Sequence, residues 1–225
     1  MIREHHLRVE RTARYATVGE PGPAVRELWI ACHGFGQLAA RFLRPFQALD
    51  DGARLVAAPE ALNRFYVDPP ASVADAARRR VGATWMTREE REAEIADYVG
   101  YLDRLHDLLR AESPAAEVTA LGFSQGAATV CRWVALGRAR VRHLVLWCGQ
   151  VPPDLALDLL RGRLASAAVT LVAGETDDVV PPEDVEMEAE RLREAGIACD
   201  VLRFAGGHVL ESETLRRLAE GAARR

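Results

Sequence analysis

Short apolar runs alternate along this chain with longer amphipathic stretches, and turn residues separate the two. Residues 28–32, 54–58, 117–121, 144–148, 169–173 and 201–204 are runs of this kind, rich in Val, Leu, Ile and Ala and bounded by Gly, Pro or charged residues. Each predicts a buried strand. Residues 126–136, 182–195 and 215–222 predict helices, as do residues 38–49, where Pro45 must kink or divide the helix. Ile95, Tyr98, Val99, Leu102, Leu105 and Leu109 form one helical stripe, and Thr87-Arg88-Glu89-Glu90 ahead of it has the form of a capping box. Residues 6–18 alternate enough to predict an opening β-hairpin at the edge of the sheet. Residues 60–84 hold no period and contain Pro69-Pro70, which predicts a long loop, a feature often functional in compact domains. Strands alternating with helices give an α/β fold: a mostly parallel twisted sheet with helices on both faces, right-handed crossovers and an N-terminal antiparallel edge hairpin.

Length and charge narrow the picture further. The 225 residues suit one domain spanning 1–225, with no repeat or low-complexity linker, and nothing in the pattern specifies an oligomeric state. A net charge of −4 gives no electrostatic reason to expect nucleic acid as a partner. All 29 basic residues are arginine, which reads as nucleotide-composition bias because Ala is also heavily used. The start, Met1-Ile2-Arg3-Glu4-His5-His6, lacks the apolar core of a signal peptide, and no apolar run approaches the roughly 20 residues that cross a bilayer. Cys32, Cys131, Cys148 and Cys199 are far apart in apolar segments, which predicts buried free thiols rather than a disulfide or metal site. These features predict a cytoplasmic protein without a metal or cofactor.

One motif changes the picture from fold to chemistry. Gly122-Phe123-Ser124-Gln125-Gly126 joins a predicted strand to a predicted helix, the context in which a serine hydroxyl is held exposed on a sharp turn above a parallel sheet. A Cβ at either glycine would crowd that turn. A serine hydroxyl needs a base to take its proton, and histidine is the usual one. Of the histidines at 5, 6, 33, 106, 143 and 208, only His208 follows both the serine and an acid beyond the next strands, and Gly206-Gly207 lets its loop turn back over the sheet. Asp177 and Asp178, after the strand at 169–173, both qualify by position as the acid. The oxyanion donors fall on the Gln125 amide, next to the serine, and on the Phe35 amide in His33-Gly34-Phe35-Gly36. His33 is expected to brace that loop, His106 and His143 to be structural, and Arg78-Arg79-Arg80 to be a solvated charge run. Phe65, Tyr66 and Trp85 are expected to line the substrate pocket.

Together these residues resemble the phospholipase/carboxylesterase family of α/β-hydrolases, which includes bacterial carboxylesterases, lysophospholipases and acyl-protein thioesterases. The resemblance covers residues 28–208 and rests on His-Gly-x-Gly, Gly-Phe-Ser-Gln-Gly, Gly174-x-x-Asp177-x-x-Val180-Pro181 and Gly207-His208. It implies the α/β-hydrolase fold, and it selects Asp177 as the acid of a Ser124–Asp177–His208 triad. It also implies hydrolysis of a small ester or lipid-like substrate through an acyl-enzyme, with thioesters and lysophospholipids as related substrates. The thioesterase members carry a Trp-Phe-Asp-like element where this chain has Gly82-Ala83-Thr84-Trp85-Met86-Thr87, keeping the tryptophan without the aspartate. Acyl transfer to an acceptor other than water would use the same triad. A catalytically silent binding protein would share the fold alone, and the intact serine, acid, histidine and oxyanion loop argue against it.

Overall fold

The computed structural model describes residues 1–68 and 79–223. Its main sheet holds β1 (Tyr15–Val18), β2 (Glu27–Cys32), β3 (Arg54–Pro59), β6 (Glu117–Phe123), β7 (His143–Trp147), β8 (Ala168–Gly174) and β9 (Asp200–Phe204). The strand order is β1-β3-β2-β6-β7-β8-β9. Every neighbouring pair is parallel except β1 with β3, which is the antiparallel edge.

The central strands are mostly apolar because both faces of the sheet are covered, with Thr119, His143 and Thr170 the buried polar exceptions. In β2, Leu28, Ile30 and Cys32 join one core, and Trp29 and Ala31 the other. On the first face lie α2 (Arg91–Glu112), α3 (Gln125–Leu136), α4 (Leu157–Arg163) and α5 (Pro182–Glu194). On the second lie α1 (Ala39–Phe42), the 3-10 turn Arg44–Leu49 and α6 (Ser212–Ala223). The predicted α2 stripe is buried at each of its six positions, against β2, β6 and α3. Pro45 divides the segment after β2 as expected, standing in the first turn of the 3-10 stretch.

The structure departs from the sequence reading in three places. Residues 1–14 hold no regular structure, so the antiparallel edge is the single strand β1 rather than a hairpin. Leu7 and Val9 are exposed, and a first hairpin arm would have nothing to pack against. The stretch read as one long loop contains β4 (Asn63–Tyr66) and β5 (Val81–Thr84), paired antiparallel. Pro69-Pro70 and Arg78 lie outside the described residues. The capping box does not form in the expected register, because α2 begins at Arg91 and Glu90 is left-handed at φ 49. The Thr87 hydroxyl instead takes the Glu89 amide (3.1 Å) in a local turn, and Glu94 accepts the Thr87 amide (2.8 Å).

Candidate active site

The Ser124 turn follows from close approach of backbone. Ser124 sits at φ 54, ψ −119 between β6 and α3, a strained conformation for a residue with a Cβ. Its amide donates to the Trp147 carbonyl (2.9 Å), which ties the turn to the end of β7. A Cβ on Gly122 would stand 2.2 Å from the Gly126 carbonyl oxygen, and one on Gly126 would stand 2.1 Å from that of Cys32. No side chain fits at either position, so both glycines are required for α3 to lie this close to β2. Ser124 itself is half-buried at the C-terminal end of the sheet, the end at which open α/β sheets bind ligands.

Two loops at the same end are joined to each other. Beyond β8 and β9, the Glu175 amide donates to Phe204 O (3.0 Å) and the Thr176 amide to Gly206 O (2.9 Å). Asp177 thereby faces His208, with 2.8 Å between Oδ2 and the imidazole Nδ1. The other carboxylate oxygen accepts the Val179 and Val180 amides, both at 2.9 Å. Asp177 is 4% exposed, whereas Asp178 is exposed and no hydrogen bond joins it to His208. Burial acts to raise the Asp177 pKa, but the Val180 amide, His208, the Cys148 thiol and the Val179 amide outweigh it and hold the carboxyl below its usual range. A charged carboxylate only accepts, so the hydrogen sits on Nδ1 and Nε2 is the basic nitrogen. The imidazole rests against Phe123, the residue before Ser124, with ring centroids 4.9 Å apart.

The predicted oxyanion donors come from two rigid turns. Gln125 is the first residue of α3, where a backbone amide has no partner within the helix. Its side chain does a separate job: Nε2 donates to Thr84 Oγ1 and Met86 O, both at 3.0 Å, and Oε1 accepts the Trp85 amide (3.2 Å). The Ser124 turn is therefore fastened to the segment after β5. The loop after β2 is pinned by Gly34 N–H to Gln37 Oε1 (2.8 Å), by Gly36 N–H to Ala83 O (2.9 Å) and by Ala83 N–H to Gln37 O (3.1 Å). The Phe35 amide between them makes no hydrogen bond among the described residues.

His33 braces this loop from below. Its Nε2 accepts the Ala61 amide (3.1 Å), so Nδ1 carries the hydrogen and donates to Gly34 O (2.7 Å). Burial lowers its basicity, against the opposing pull of the Gly34 carbonyl and the Glu60 charge. His143 Nε2 lies 2.8 Å from Thr170 Oγ1 inside the sheet, and His106 packs on Trp133.

The expected pocket residues divide. Phe65 stacks on Phe35 with centroids 5.0 Å apart, and Tyr66 is exposed under the Arg79 guanidinium (4.1 Å). Trp85 is buried, and its indole N–H donates to the His33 carbonyl (2.8 Å), so it supports the loop from behind rather than lining an open mouth. Three exposed apolar side chains lie on the loops that carry the candidate oxyanion donor, Asp177 and His208: Phe35, Val179 and Val209. An open cavity of about 410 Å³ lies at the start of β6 and β7, between His106, Arg110, Glu117 and Arg142, at the opposite end of the sheet.

Two participants escaped the sequence reading. Glu60 is buried at the end of β3 and accepts Arg14 (2.7 and 2.8 Å), Arg64 (2.6 Å) and the Ala39 amide (3.3 Å), joining β4, α1 and the N-terminal arm. A strand followed by an acid and scattered arginines gave no sign of that network. The four cysteines are free thiols, yet Cys148 is not isolated from the site. Cys148, Asp177 and His208 each offer a ligand atom within 4.8 Å of the others, although a metal there would have to replace the 2.8 Å Asp177–His208 hydrogen bond. No helix among the described residues is long and apolar enough to cross a membrane.

Solved structures with this architecture include esterase PE8, at 20% identity over 95% of this chain and 99% of that one, with a TM-score of 0.68. They also include Zea mays acyl-protein thioesterase 2, at 16% identity over 95% and 99%, with a TM-score of 0.70. A phospholipase/carboxylesterase from Dyadobacter fermentans DSM 18053 matches at 16% identity over 96% and 99%, with a TM-score of 0.66. At these identities the likeness establishes an α/β-hydrolase fold. Comparison with curated proteins finds no sequence match. The family model for serine hydrolase (FSH1) matches residues 28–215, a span that includes the serine turn, the Asp177 loop and the His208 loop. By that match, the chain belongs to the FSH1 family of serine hydrolases.

Proposed function

We propose that this serine hydrolase cleaves carboxylic esters through an acyl-enzyme, with Ser124 as nucleophile, His208 as base and Asp177 as the orienting acid. The observation that carries the reading is the 2.8 Å bond between buried Asp177 and His208 Nδ1, beside a serine held at φ 54. His208 Nε2 takes the Ser124 proton as Oγ adds to the substrate carbonyl, and Asp177 stabilises the imidazolium that forms. The amides of Phe35 and Gln125 receive the oxyanion, a role worth about 3–4 kcal/mol per donor in enzymes of this type. His208 then gives the proton to the leaving alcohol, and water repeats the sequence to release the acid. The exposed Phe35, Val179 and Val209 favour an apolar acyl group at the mouth. Proteins named as an esterase, an acyl-protein thioesterase and a phospholipase/carboxylesterase are among the similar structures, which supports an ester or thioester substrate.

The test is a fluorophosphonate probe followed by peptide mapping, run beside a chain-length series of chromogenic esters, a thioester and a lysophospholipid. Labelling of Ser124 with loss of ester hydrolysis is the expected result. An adduct elsewhere, or turnover that survives complete labelling of Ser124, would overturn the assignment.

A further inference from the structure

The end of β7 holds a cysteine that the mechanism above does not use. Cys148 is wholly buried and sits at φ 46, a left-handed conformation that a residue with a Cβ keeps only where its surroundings impose it. Its amide donates to the Val172 carbonyl of β8 (2.8 Å), which fixes how the side chain leaves the strand. Its Sγ lies within 4.8 Å of both a carboxylate oxygen of Asp177 and a ring nitrogen of His208. Burial, reinforced by the neighbouring Asp177, pushes the thiol far above the ordinary cysteine range, so the group is S–H rather than thiolate. A carboxylate can only accept, so of the two groups brought within 4.8 Å only the thiol can donate.

We propose that Cys148 is a positioning residue for the triad, its thiol donating to the Asp177 carboxylate and sharing that carboxylate with the His208 Nδ1–H. The inference rests on the reading of Ser124, His208 and Asp177 given above. The groups that face Asp177 are His208 from the loop after β9, Cys148 from the end of β7, and the Val179 and Val180 amides of its own loop. Glu175 and Asp178, also on that loop, are exposed. The thiol draws part of the carboxylate charge away from the imidazolium. Without it, the imidazolium is held more strongly, and the carboxyl loses one of the donors that keep it ionised. The first change moves the rise of turnover to higher pH, and the second leaves the carboxylate less firmly placed opposite Nδ1, which lowers kcat.

Three variants test the idea: Cys148→Ser keeps a donor, while Cys148→Ala and Cys148→Gly remove it. Glycine also relieves the left-handed backbone, so that variant retains the fold even if alanine does not. Melting curves establish folding for each. The expected result is a kcat loss of about tenfold for Ala and Gly at unchanged KM, with the pH profile displaced upward. Ser should restore both kcat and the profile. An NMR titration of the His208 ring, with its Nδ1–H resonance, is run on the same variants and does not depend on turnover. A resonance changed by Gly and restored by Ser supports the proposal even if the native protein hydrolyses none of the esters and the catalytic reading itself falls. A resonance and profile untouched by Gly, or disturbed as much by Ser as by Gly, would overturn it.

Discussion

Replacing Asp177 by asparagine is the sharpest test of the site, because the structure fixes how the new amide must lie. One oxygen of the present carboxylate accepts two backbone amides, Val179 and Val180, at 2.9 Å each. Asparagine keeps those bonds only if its carbonyl oxygen takes that position, which turns the NH₂ toward His208. The opposite orientation sets an NH₂ against two N–H donors in a buried place and costs about 1–3 kcal/mol for each acceptor lost. The first orientation therefore wins, and an NH₂ facing Nδ1 forces that nitrogen to accept. The hydrogen moves to Nε2, and the imidazole can no longer act as base. Losing the correct tautomer in this way costs about four orders of magnitude in turnover, or about 5.4 kcal/mol at 1.36 kcal/mol per decade. The assay is kcat for a chromogenic ester at neutral pH, with a melting curve showing that the fold is kept. Asp178→Asn supplies the control, since Asp178 is exposed, and its kcat should stay within about twofold of the native value. A folded Asp177→Asn protein with more than a tenth of native turnover would refute the argument. So would an Asp178→Asn protein that is crippled.

Two further outcomes follow from the same structure. Glu60→Gln should lower stability by about 1–3 kcal/mol, because it removes the charge that two partly exposed arginines share; thermal melting measures this. For Glu60, burial acts to raise the pKa, but the bonds and charges of Arg14 and Arg64 leave it lowered overall. The folded pKa being depressed, its stabilisation is full above the ordinary glutamate range and is lost as pH falls through the lowered value, so the stability difference between native and variant should shrink on acidification. Ser124→Gly should raise the melting temperature while abolishing ester hydrolysis, since glycine relieves φ 54 at the cost of one half-buried hydroxyl. A variant that melts below the native protein would contradict the strain assigned to that turn.

The strands of the main sheet were legible because burial on two faces leaves a nearly continuous apolar run, and turn residues bound each run. What the sequence concealed depends on partners far away in the chain. β4 and β5 are four residues each, and Asn63, Arg64, Gly82 and Ala83 carry little strand propensity; their order comes from pairing with one another and with Gly36 and Gln37. The capping-box pattern at Thr87 lost to a tertiary arrangement in which Glu94 reaches both the Thr87 amide and the Asn63 side chain. Among the candidate site residues, the motif spacing brought Asp177 and His208 to one hydrogen bond, while a choice between Asp177 and Asp178 by position alone stayed open. Trp85 was legible as a residue near the site, but its direction was not, because the His33 carbonyl that takes its N–H belongs to another loop. Cys148 read as one more apolar position in a strand, since only the fold brings its sulfur to Asp177.

Strain in this molecule is placed rather than scattered. Among the described residues, three non-glycine residues have positive φ, namely Glu90, Ser124 and Cys148. The last two stand directly after neighbouring strands, β6 and β7, and the Ser124 amide is bonded to the carbonyl of Trp147, the residue before Cys148. One conformation belongs to a half-buried serine at the sheet end, and the other to a buried thiol within 4.8 Å of the carboxylate bonded to His208. Each costs about 1–3 kcal/mol, and each is imposed by parallel pairing in the most buried part of the sheet, where Leu121, Gly122 and Phe123 register against Val145, Leu146 and Trp147. Slipping either strand to relax its last residue would break that register and expose both cores. The ladder that holds the fold therefore also holds the Ser124 hydroxyl and the Cys148 thiol in place.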